Sequence, residues 1–489
     1  MSDVLIKKKN EVYLQLKVPP HIGYELSDHF TFDVPEAKFM DSYKKRYWDG
    51  KIRLFSPGTG ELYCGLKDYL VQFCEERGYV YDFAESQYYG LPDAEDELVS
   101  YEGVKSYVKR FTTLKVRDYQ YSAIYEALRK RRKLIVSPTG SGKSFMIYSI
   151  VRFLQETGQK IMIVVPTTSL VEQMYKDFRD YGWDSEQYCH RIYAGHDKIT
   201  DKPITITTWQ SVYKQKKTFF QEFTAVIGDE AHLFKAKSLT DILTKCYQAK
   251  YRIGFTGTLD GSKTNKLVLE GLFGPYEKIT NTNELIKQGH LSRLKIKVLV
   301  LKHPHQKFES YQDEIEYLVT HERRNNFIKN LALDLSGNTL ILFNYVEKHG
   351  EPLFDLINSS AKPGRKIFFV HGGGVNVKDR EEIRAITEKE SNAVIIASYG
   401  TFSTGINIKK LHNIIFASPS KSRIRNLQSI GRVLRKGENK NSAVLYDIAD
   451  DISNNDKSPN YTLNHLFERI KIYNQENFDY EIVNIKFRK

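Results

Sequence analysis

The sequence predicts an α/β fold with two tandem parallel-sheet domains, a small N-terminal α+β domain and a C-terminal helical tail. Short β-branched and apolar runs alternate with helical patterns twice, over about 104–280 and again over about 294–450. Alternation of this kind is typical of parallel sheets with helices on both faces. A glycine-rich loop follows one of these runs, at the edge where a parallel sheet places its functional residues.

Length and composition are those of an ordinary globular protein. The 489 residues, 41% hydrophobic and 27% charged, are enough for roughly three or four domains. No apolar run approaches the length that spans a bilayer, and the first residues lack the pattern of a signal peptide. The four cysteines show no C-x-x-C spacing, which predicts reduced thiols without zinc or disulfides. We therefore expect a cytoplasmic protein with no membrane partner.

The charge balance favours a polyanionic partner. A formal net charge of +13 suits nucleic acid, because phosphates neutralised by Lys and Arg release condensed counterions. The 32 tyrosines and 27 phenylalanines supply rings that could stack on bases, although most aromatic side chains are core. Scattered surface lysines would explain the charge equally well, so composition alone leaves both interpretations open.

Four regions follow from the local patterns. Residues 1–95 are predicted to form an accessory DNA-binding domain, with a strand over 12–18 and a helix over 66–77. The acidic, proline-containing stretch 90–103 marks its boundary. The first α/β domain, 96–285, has predicted strands at 133–137, 160–166, 204–208, 225–228 and 251–255. The second, 286–450, has them at 339–343, 366–370, 393–397, 413–417 and 442–446, and the tail, 451–489, has helical apolar spacing.

A phosphate-binding loop is predicted at residues 137–144, S-P-T-G-S-G-K-S, between an apolar run and a helical pattern. In this order of strand, loop and helix, backbone N–H groups and the positive helix end hold β/γ-phosphate oxygens. Lys143 would reach the phosphates, and the Ser144 hydroxyl would hold Mg²⁺. The strict motif has glycine where Ser137 stands.

An acidic motif, D-E-A-H at 229–232, follows the predicted strand 225–228. An acidic pair delivered by a strand downstream of a phosphate loop is what an ATPase requires. Asp229 would hold Mg²⁺, and Glu230 would polarise the attacking water. His232 completes the motif and is expected to take part in catalysis with Asp229 and Glu230. Together the two motifs predict an ATPase that uses ATP and Mg²⁺.

The phosphate loop and D-E-A-H box resemble those of superfamily-two helicases, whose motor consists of two RecA-like domains. R-D-Y-Q at 117–120 resembles the family element that reads adenine, with Gln120 suited to a bidentate contact. The resemblance implies a nucleotide site made of Arg117, Gln120, Thr139, Gly140, Ser141, Gly142, Lys143, Ser144 and, in the second domain, Gly405.

Three further strings resemble family motifs that touch the nucleic-acid backbone: P-T-T-S-L at 166–170, T-T-W-Q-S at 207–211 and F-S-T-G at 402–405. Hydroxyls and backbone amides can hold phosphates without reading bases. The resemblance implies nucleic-acid contacts from Thr167, Thr168, Thr208, Trp209, Gln210, Ser403 and Thr404. T-G-T at 256–258 resembles the motif that couples hydrolysis to strand movement, with glycine where alanine is commoner.

The second domain carries Q-S-I-G-R-V-L-R at 428–435, which matches the family pattern Q-x-x-G-R-x-x-R. Gln428, Arg432 and Arg435 are therefore expected in catalysis, with the arginines one helical turn apart and directed at the γ-phosphate. An arginine finger of this kind can be worth roughly a thousandfold in rate. The resemblance implies that the site is complete only when the two RecA-like domains close.

Much of the chain, including both ends, resembles the UvsW recombination helicases of tailed phages; R-Y-W-D-G-K-I-R-L at 46–54 is similar to a signature of their leading domain. The resemblance implies an ATP-dependent DNA helicase of replication, recombination and repair that migrates Holliday junctions, regresses forks and removes RNA from R-loops. It implies branched, forked or single-stranded DNA and RNA–DNA hybrids as partners. A monomer in the host cytoplasm is the corresponding expectation for a phage protein.

Two basic segments lie outside the motor motifs. Arg46, Trp48 and Lys51 combine cations with a ring, which suits phosphate contact and base stacking. A basic hairpin with Trp48 in its core explains the same residues. The run R-K-R-R-K at 129–133 precedes the phosphate-loop strand and is predicted to be a solvated helix end.

Three other functions share parts of this pattern. An RNA helicase has the same motor and would differ in the strand that stimulates ATP hydrolysis. A restriction-enzyme motor would need nuclease chemistry; P-D at 92–93 with Glu102 and Lys105 is suggestive, but two residues separate the Glu and Lys where that motif has one. An annealing protein with a regulatory or idle ATPase is disfavoured by the intact ATPase motifs. A DNA translocase or annealing protein without processive unwinding stays open as an alternative, as does ATP-independent annealing beside the motor activity.

Overall fold

A computed structural model describes residues 2–35, 37–84, 99–193, 195–372, 377–405, 408–418, 420–437, 440–453 and 458–487, without the side chains at 264, 377–378, 380–381 and 403–405. The chain divides into two compact units. The first is Met1–Ser137 with Gly142–Ile279, and the second is Pro138–Ser141 with Thr280–Lys489. No helix in the described part is long and apolar enough to cross a bilayer.

The N-terminal part of the first unit is a small α+β domain. Its elements are β1 (Val4–Lys8), β2 (Tyr13–Lys17), α1 (Pro20–His29), β3 (Thr31–Asp33), α2 (Asp41–Lys44), β4 (Lys51–Arg53), β5 (Phe55–Ser56), β6 (Glu61–Tyr63), α3 (Lys67–Arg77) and β7 (Tyr81–Phe83). One sheet has the order β5-β6-β2-β1-β7, and β3 and β4 form a separate antiparallel pair. The strand and helix predicted for this region are present as β2 and α3.

The rest of the first unit is a seven-stranded parallel sheet with helices between its strands. Its elements are α4 (Tyr101–Lys109), α5 (Asp118–Lys130), β8 (Arg132–Val136), α6 (Lys143–Glu156), β9 (Ile161–Val165), α7 (Thr168–Asp180), α8 (Ser185–Tyr188), β10 (Cys189–Ile192), β11 (Ile204–Thr208), α9 (Trp209–Val212), α10 (Lys217–Phe220), β12 (Ala225–Asp229), α11 (Lys237–Lys245), β13 (Tyr251–Thr256), α12 (Lys263–Phe273) and β14 (Tyr276–Lys278). The order is β10-β11-β9-β12-β13-β8-β14. Strands β8, β9, β11 and β12 are buried throughout, as strands covered on both faces are.

The second unit contains another seven-stranded parallel sheet. Its elements are α13 (Thr282–Lys287), β15 (Arg293–Lys302), α14 (Tyr311–Thr320), α15 (Glu322–Asp334), β16 (Thr339–Phe343), α16 (Glu351–Ser360), β17 (Ile367–Val370), α17 (Val377–Lys389), β18 (Val394–Ser398), α18 (Tyr399–Gly405), β19 (Asn413–Phe416), α19 (Arg423–Val433), β20 (Ser442–Asp451), α20 (Tyr461–Gln475) and β21 (Tyr480–Lys486). The order is β17-β18-β16-β19-β20-β15-β21. Strand β15 pairs in parallel with both β20 and β21.

The predicted fold class is confirmed, and each of the ten strands predicted for the two α/β domains is present within a few residues. The sequence patterns do not predict β10, β14, β15 and β21. The first two are too short to show a pattern, and β21 is an exposed outer strand. The tail therefore contributes a strand as well as its predicted helix. The proposed domain boundaries stay predictions, and the one at 95 falls outside the described residues.

The small domain and the first parallel sheet share one hydrophobic core. The same buried cluster contains side chains from both parts, among them Leu14, Leu62, Phe73, Val226, Phe234 and Phe273. The apolar surface of this cluster is kept out of water only while the two parts stay together. The small domain is thus an integral part of the first unit.

An ion pair lies inside this junction. Arg132, 3% exposed, donates from Nη2 to Glu11 Oε2 at 2.7 Å. Burial raises the pKa of Glu11, but Arg132 and Lys8 outweigh it and hold the pKa below its usual value. The prediction of a helix end at 129–133 holds for Arg129 and Lys130, the last residues of α5, but is wrong for Arg132 and Lys133, which are buried in β8.

Gly65 marks the closest backbone approach in the junction. A Cβ at this position would lie 1.9 Å from the Glu270 carbonyl oxygen and 2.8 Å from that of Gly271. Nearby, Tyr69 donates from its hydroxyl to Glu270 Oε2 at 2.8 Å. Only glycine permits backbones to come this close.

We expect Gly65→Ala to lower the free energy of unfolding by about 1–3 kcal/mol, because the added methyl group overpacks rigid backbone. Gly58→Ala is the matched control, since a Cβ there meets nothing within 4 Å. Urea denaturation followed by circular dichroism measures both. Equal midpoints for the two variants would contradict the close packing described at Gly65.

Candidate nucleotide-binding site

The phosphate loop joins the buried end of β8 to the first turn of α6. The Ser137 backbone N–H donates to the Thr256 carbonyl at 2.8 Å, which continues the β8–β13 pairing by one residue. Gly140 and Gly142 have φ values of 85° and 87°, a region that favours glycine. Helix α6 begins directly after Gly142. A glycine-rich loop that ends at a helix N-terminus is a ready anion site.

Gln120 lies against this loop. A Cβ at Gly142 would be 2.2 Å from Gln120 Nε2, so the side-chain amide and the glycine are in close contact. Its Oε1 accepts a hydrogen bond from the Arg117 backbone N–H at 2.9 Å, which caps the start of α5. The structure therefore brings the predicted adenine-reading element to the phosphate loop. The capping role of Gln120 is an addition that the motif did not suggest.

The acidic pair stands at the carboxyl end of β12, between β9 and β13 in the sheet. Asp229 is the last residue of the strand, and Glu230 turns the chain away with φ 51° and ψ 50°. This left-handed conformation costs a residue other than glycine roughly 1–2 kcal/mol. Strain of this kind is often kept at functional sites. The Glu230 backbone N–H donates to Asp229 Oδ1 at 2.9 Å.

The Lys143 ammonium lies between the two carboxylates. Its Nζ is 3.3 Å from Asp229 Oδ1 and 3.0 Å from Glu230 Oε1. Burial lowers the pKa of Lys143, but Asp229 and Glu230 outweigh it and hold the pKa above its usual value. Burial likewise raises the pKa of Glu230, and Lys143 and then His232 outweigh it and hold the pKa below its usual value. At neutral pH the site thus holds a charged ammonium beside an ionised Glu230.

His232 connects the acidic pair to β13. Its Nδ1 lies 3.0 Å from Thr256 Oγ1 and 3.4 Å from Glu230 Oε2. The Thr256 hydroxyl donates to the Thr258 carbonyl at 3.1 Å, which uses its single proton and makes His232 Nδ1 the donor in the first bond. These bonds join the D-E-A-H and T-G-T motifs. Motif spacing alone does not reveal Thr256 as the partner of His232.

The hydroxyls predicted to contact nucleic acid after β9 have different surroundings. Thr167 caps α7, because its Oγ1 accepts a hydrogen bond from the Leu170 backbone N–H at 3.4 Å. Thr168, the first residue of that helix, is exposed. A phosphate could therefore meet the Thr168 side chain directly, whereas Thr167 already has a structural bond.

The residues after β11 are held more tightly. Thr208 is 4% exposed, and its Oγ1 lies 2.9 Å from Ser211 Oγ. The Trp209 ring packs on the core, with its centroid 5.7 Å from that of Tyr213. Gln210 is exposed. Of the three residues predicted here, Gln210 is the one whose side chain is open to a ligand.

In the second unit the arginine motif lies on and just beyond α19. Gln428 and Arg432 are half-buried on the helix, and the Arg432 guanidinium is 5.5 Å from the centre of the Phe402 ring. Helix α19 ends at Val433, so Arg435 follows the helix instead of lying one turn further along it. The side chains of Ser403, Thr404 and Gly405, together with residues 406–407, lie outside the described residues.

Of the predicted DNA-contacting residues of the small domain, Arg46 and Trp48 lie between β3 and β4, and Lys51 is the exposed first residue of β4. Arg46 is exposed with φ 56°, and Trp48 is half-buried, with Nε1 donating to the Lys51 carbonyl at 2.8 Å. Trp48 thus braces its own hairpin. Tyr47 is 85% exposed and is a ring that the sequence analysis did not single out, although it stands in the same R-Y-W string.

These features together define a class of protein. A phosphate-loop lysine meets a D-E-A-H pair at the edge of one parallel sheet, and a second parallel sheet carries a Q-x-x-G-R-x-x-R motif. This is the composition of a superfamily-two helicase motor. Three family models match: DNA helicase UvsW, N-terminal, over residues 3–83; type III restriction enzyme, res subunit, over 113–261; and helicase conserved C-terminal domain, over 322–437.

Comparison of the whole chain narrows the class. The ATP-dependent DNA helicase uvsW of Enterobacteria phage T4 is 34% identical over 483 residues, which cover 94% of each chain. The crystal structure of T4 UvsW matches with a TM-score of 0.52 and 30% identity over 99% of both chains. A DNA 3'-5' translocase XPB2 of Sulfurisphaera tokodaii is 29% identical over 38% of this chain and 40% of its own. The chain belongs to the UvsW helicase family, as its motifs predicted.

Replacement of the bridging lysine tests the nucleotide site. We expect Lys143→Ala to reduce ATP hydrolysis to background, because the cation beside Asp229 and Glu230 is lost, while DNA binding stays within about twofold. Lys109→Ala, at the exposed end of α4, is the control. Phosphate release and fluorescence anisotropy measure the two properties. Sustained turnover by Lys143→Ala would rule out the assigned phosphate loop.

Proposed function

We propose that this chain is an ATP-dependent DNA helicase that remodels branched DNA in recombination, repair and replication. The observation that carries the proposal is the part-buried contact of Lys143 with Asp229 and Glu230 at the carboxyl edge of β8 and β12. An ATPase needs these groups together, and family membership supplies the polynucleotide context. The proposed reactions are migration of Holliday junctions, regression of forks and removal of RNA from R-loops.

ATP would bind at the phosphate loop and the residues around it. Backbone N–H groups at the start of α6 and the Lys143 ammonium would hold the β/γ-phosphates of ATP. Thr139, Gly140, Ser141 and Gly142 would form the wall of the cradle. Gln120 would serve both the loop and the adenine, and Arg117 would hold Gln120 in place through its backbone N–H.

A magnesium ion fits the donors that the site offers. Within the described ranges no group of three or more His, Cys, Asp or Glu side chains could hold a metal by itself. Mg²⁺ usually binds through one or two carboxylates together with substrate phosphates, and Asp229 and Ser144 would be its protein ligands. When bound, the ion would neutralise charge on the phosphate oxygens.

Glu230 would orient and polarise the attacking water. Its carboxylate stays ionised beside Lys143 and His232, which a proton acceptor requires. A movement of Glu230 would shift His232, and His232 would in turn move Thr256 of the T-G-T motif through their hydrogen bond. Gln428, Arg432 and Arg435 would stabilise negative charge that develops on the γ-phosphate.

DNA contact is proposed for an exposed segment of the small domain, residues 38–47. All ten residues are exposed, and among them stand Lys38, Lys44, Lys45 and Arg46 with the single acid Asp41. Phe39 and Tyr47 are 65% and 85% exposed. Cations beside open rings suit phosphate contact with base stacking. Thr168 and Gln210 of the first unit, with Ser403 and Thr404 of the second, would hold the strand backbone.

An activity assay on branched DNA tests the function. Wild type should resolve a labelled four-way junction in the presence of ATP and Mg²⁺, and Glu230→Gln should bind ATP yet resolve the junction at least about a hundredfold more slowly. Gel electrophoresis of the products, beside nucleotide binding by equilibrium titration, gives both readouts.

An RNA duplex and a blunt DNA duplex serve as control substrates in that assay. Preferential processing of the junction supports branched DNA as the substrate. Efficient unwinding of the RNA duplex with little effect on the junction would overturn the proposal in favour of an RNA helicase. Rapid ATP hydrolysis with no product from any substrate would also count against unwinding and favour a translocase.

The exposed segment gives a second test. We expect Tyr47→Ala to weaken binding of a forked DNA about five- to a hundredfold, since stacking of a base on an aromatic ring is worth about 1–3 kcal/mol, while ATPase activity without DNA stays normal. Tyr24→Ala, at another exposed tyrosine, on α1 (69% exposed), is the control. Anisotropy titration measures the affinities, and equal affinities for the two variants would remove Tyr47 from the DNA surface.

A further inference from the structure

Helix α19 carries Gln428 and Arg432 of the arginine motif, and contacts with the tail hold its N-terminal end. Ser422 caps the helix by accepting a hydrogen bond from the Arg425 backbone N–H. Arg423, the first helical residue, donates to Gln475 at the end of α20 and to Glu476 directly after it. Glu476 is 8% exposed, so this ion pair is largely shielded from water. The start of α19 is therefore tied to an element outside the motor motifs.

The C-terminal end of α19 is held by Lys440. The Lys440 ammonium donates to the carbonyl oxygens of Val433, of Arg435 at 2.9 Å and of Lys409 at 3.1 Å. Lys440 is 2% exposed. The last carbonyls of a helix lack partners within the helix and carry partial negative charge. Val433 is the last residue of the helix, and a lysine side chain with three donors can serve its carbonyl together with those of Arg435 and Lys409.

Backbone contacts complete this attachment. Ser292 donates from its backbone N–H to the Leu434 carbonyl at 2.8 Å, and its hydroxyl lies 3.4 Å from the Lys440 carbonyl oxygen. Leu291 and Arg435 form an antiparallel bridge. The chain at 433–435 thus has the Ser292 backbone and the Lys440 ammonium as partners for its carbonyls. This segment connects Arg432 at the end of the helix with Arg435 beyond it.

Lys440 also reaches the chain that precedes β19. Lys409, whose carbonyl it binds, donates from its backbone N–H to Glu388 Oε1 at 2.7 Å. The ammonium therefore joins the exit of the arginine motif to the segment that follows the F-S-T-G motif of α18. A displacement of either segment would break a hydrogen bond to the same buried amino group.

We propose that Lys440 is a positioning residue that holds Arg432 and Arg435 in the arrangement needed for ATP hydrolysis. The proposal rests on the proposed role of these two arginines. Lys440 acts through the backbone of Val433 and Arg435 and does not itself touch the nucleotide. Loss of its ammonium would leave buried carbonyls without partners and release the end of α19. A displacement of about 1 Å in such a group can cost about a hundredfold in rate.

The test compares Lys440→Met with wild type in DNA-stimulated ATP hydrolysis. Methionine keeps a long apolar stem and removes the charge and its donors. We expect kcat, normalised to nucleotide-binding sites, to fall about ten- to a hundredfold. The Kd for a fluorescent ATP analogue should stay within twofold, because Lys143 and helix α6 belong to the first unit. A purely structural defect would instead reduce the number of binding sites or the melting temperature.

Three further variants make the result decisive. Lys410→Met is the control. The hydrogen bond described for this lysine is accepted by its backbone carbonyl, from the Asn338 side chain, so the substitution leaves that bond in place. This variant should keep the wild-type kcat. Arg432→Ala tests the role on which the inference rests: normal turnover there would refute the arginine role itself. Loss of turnover in Arg432→Ala with wild-type kcat in Lys440→Met would overturn the positioning role alone. If Lys440→Met does not fold, Lys440→Gln, which keeps one donor group, should lower kcat by about three- to tenfold, and an unchanged kcat would equally overturn it.

Discussion

The contact of Lys143 with Asp229 and Glu230 depends on the strand order of the first unit. Strands β8 and β12 are parallel and separated only by β13, so the loop after one and the acidic pair after the other meet at the same edge. The ammonium then has two carboxyl groups within 3.3 Å. A buried charge that loses its partner costs several kcal/mol. The site therefore favours a polyanion whose phosphates pair with Lys143, provided that a cation takes the place of Lys143 beside the two carboxyl groups.

The small domain and α19 illustrate how regions outside the motifs support this chemistry. The small domain shares its core with the first parallel sheet and carries the exposed segment 38–47. Helix α19 has charged partners at both ends, Glu476 at its start and Lys440 at its finish. The small domain is also joined by the buried ion pair of Arg132 with Glu11. A site held by its surroundings is more precise than one held by loops alone.

Sequence reasoning recovered the parts of the fold that repeat and the parts of the site that are contiguous. Continuous apolar runs predicted the buried strands, because a strand covered on both faces must be apolar throughout. The phosphate loop and D-E-A-H box each lie within a few residues. Contacts between residues far apart in the sequence have no local pattern that predicts them. The sequence predicts Arg132 in a solvated helix end, whereas the structure buries it against Glu11. The partnership of Lys440 with Val433, Arg435 and Lys409 depends equally on tertiary packing, and nothing in the local pattern announces it.

The place of β15 in the second sheet has a consequence for how this unit assembles. β15 is the first strand of the sheet along the chain, yet its two neighbours, β20 and β21, are the last two. During synthesis its ten residues must wait without strand partners until almost all of the unit has been made. Pairings between such distant segments form slowly, and an unpaired apolar strand can associate with other chains meanwhile. Charged residues at the start of β15, Arg293, Lys295 and Lys297, would make association between nascent copies less favourable during that interval.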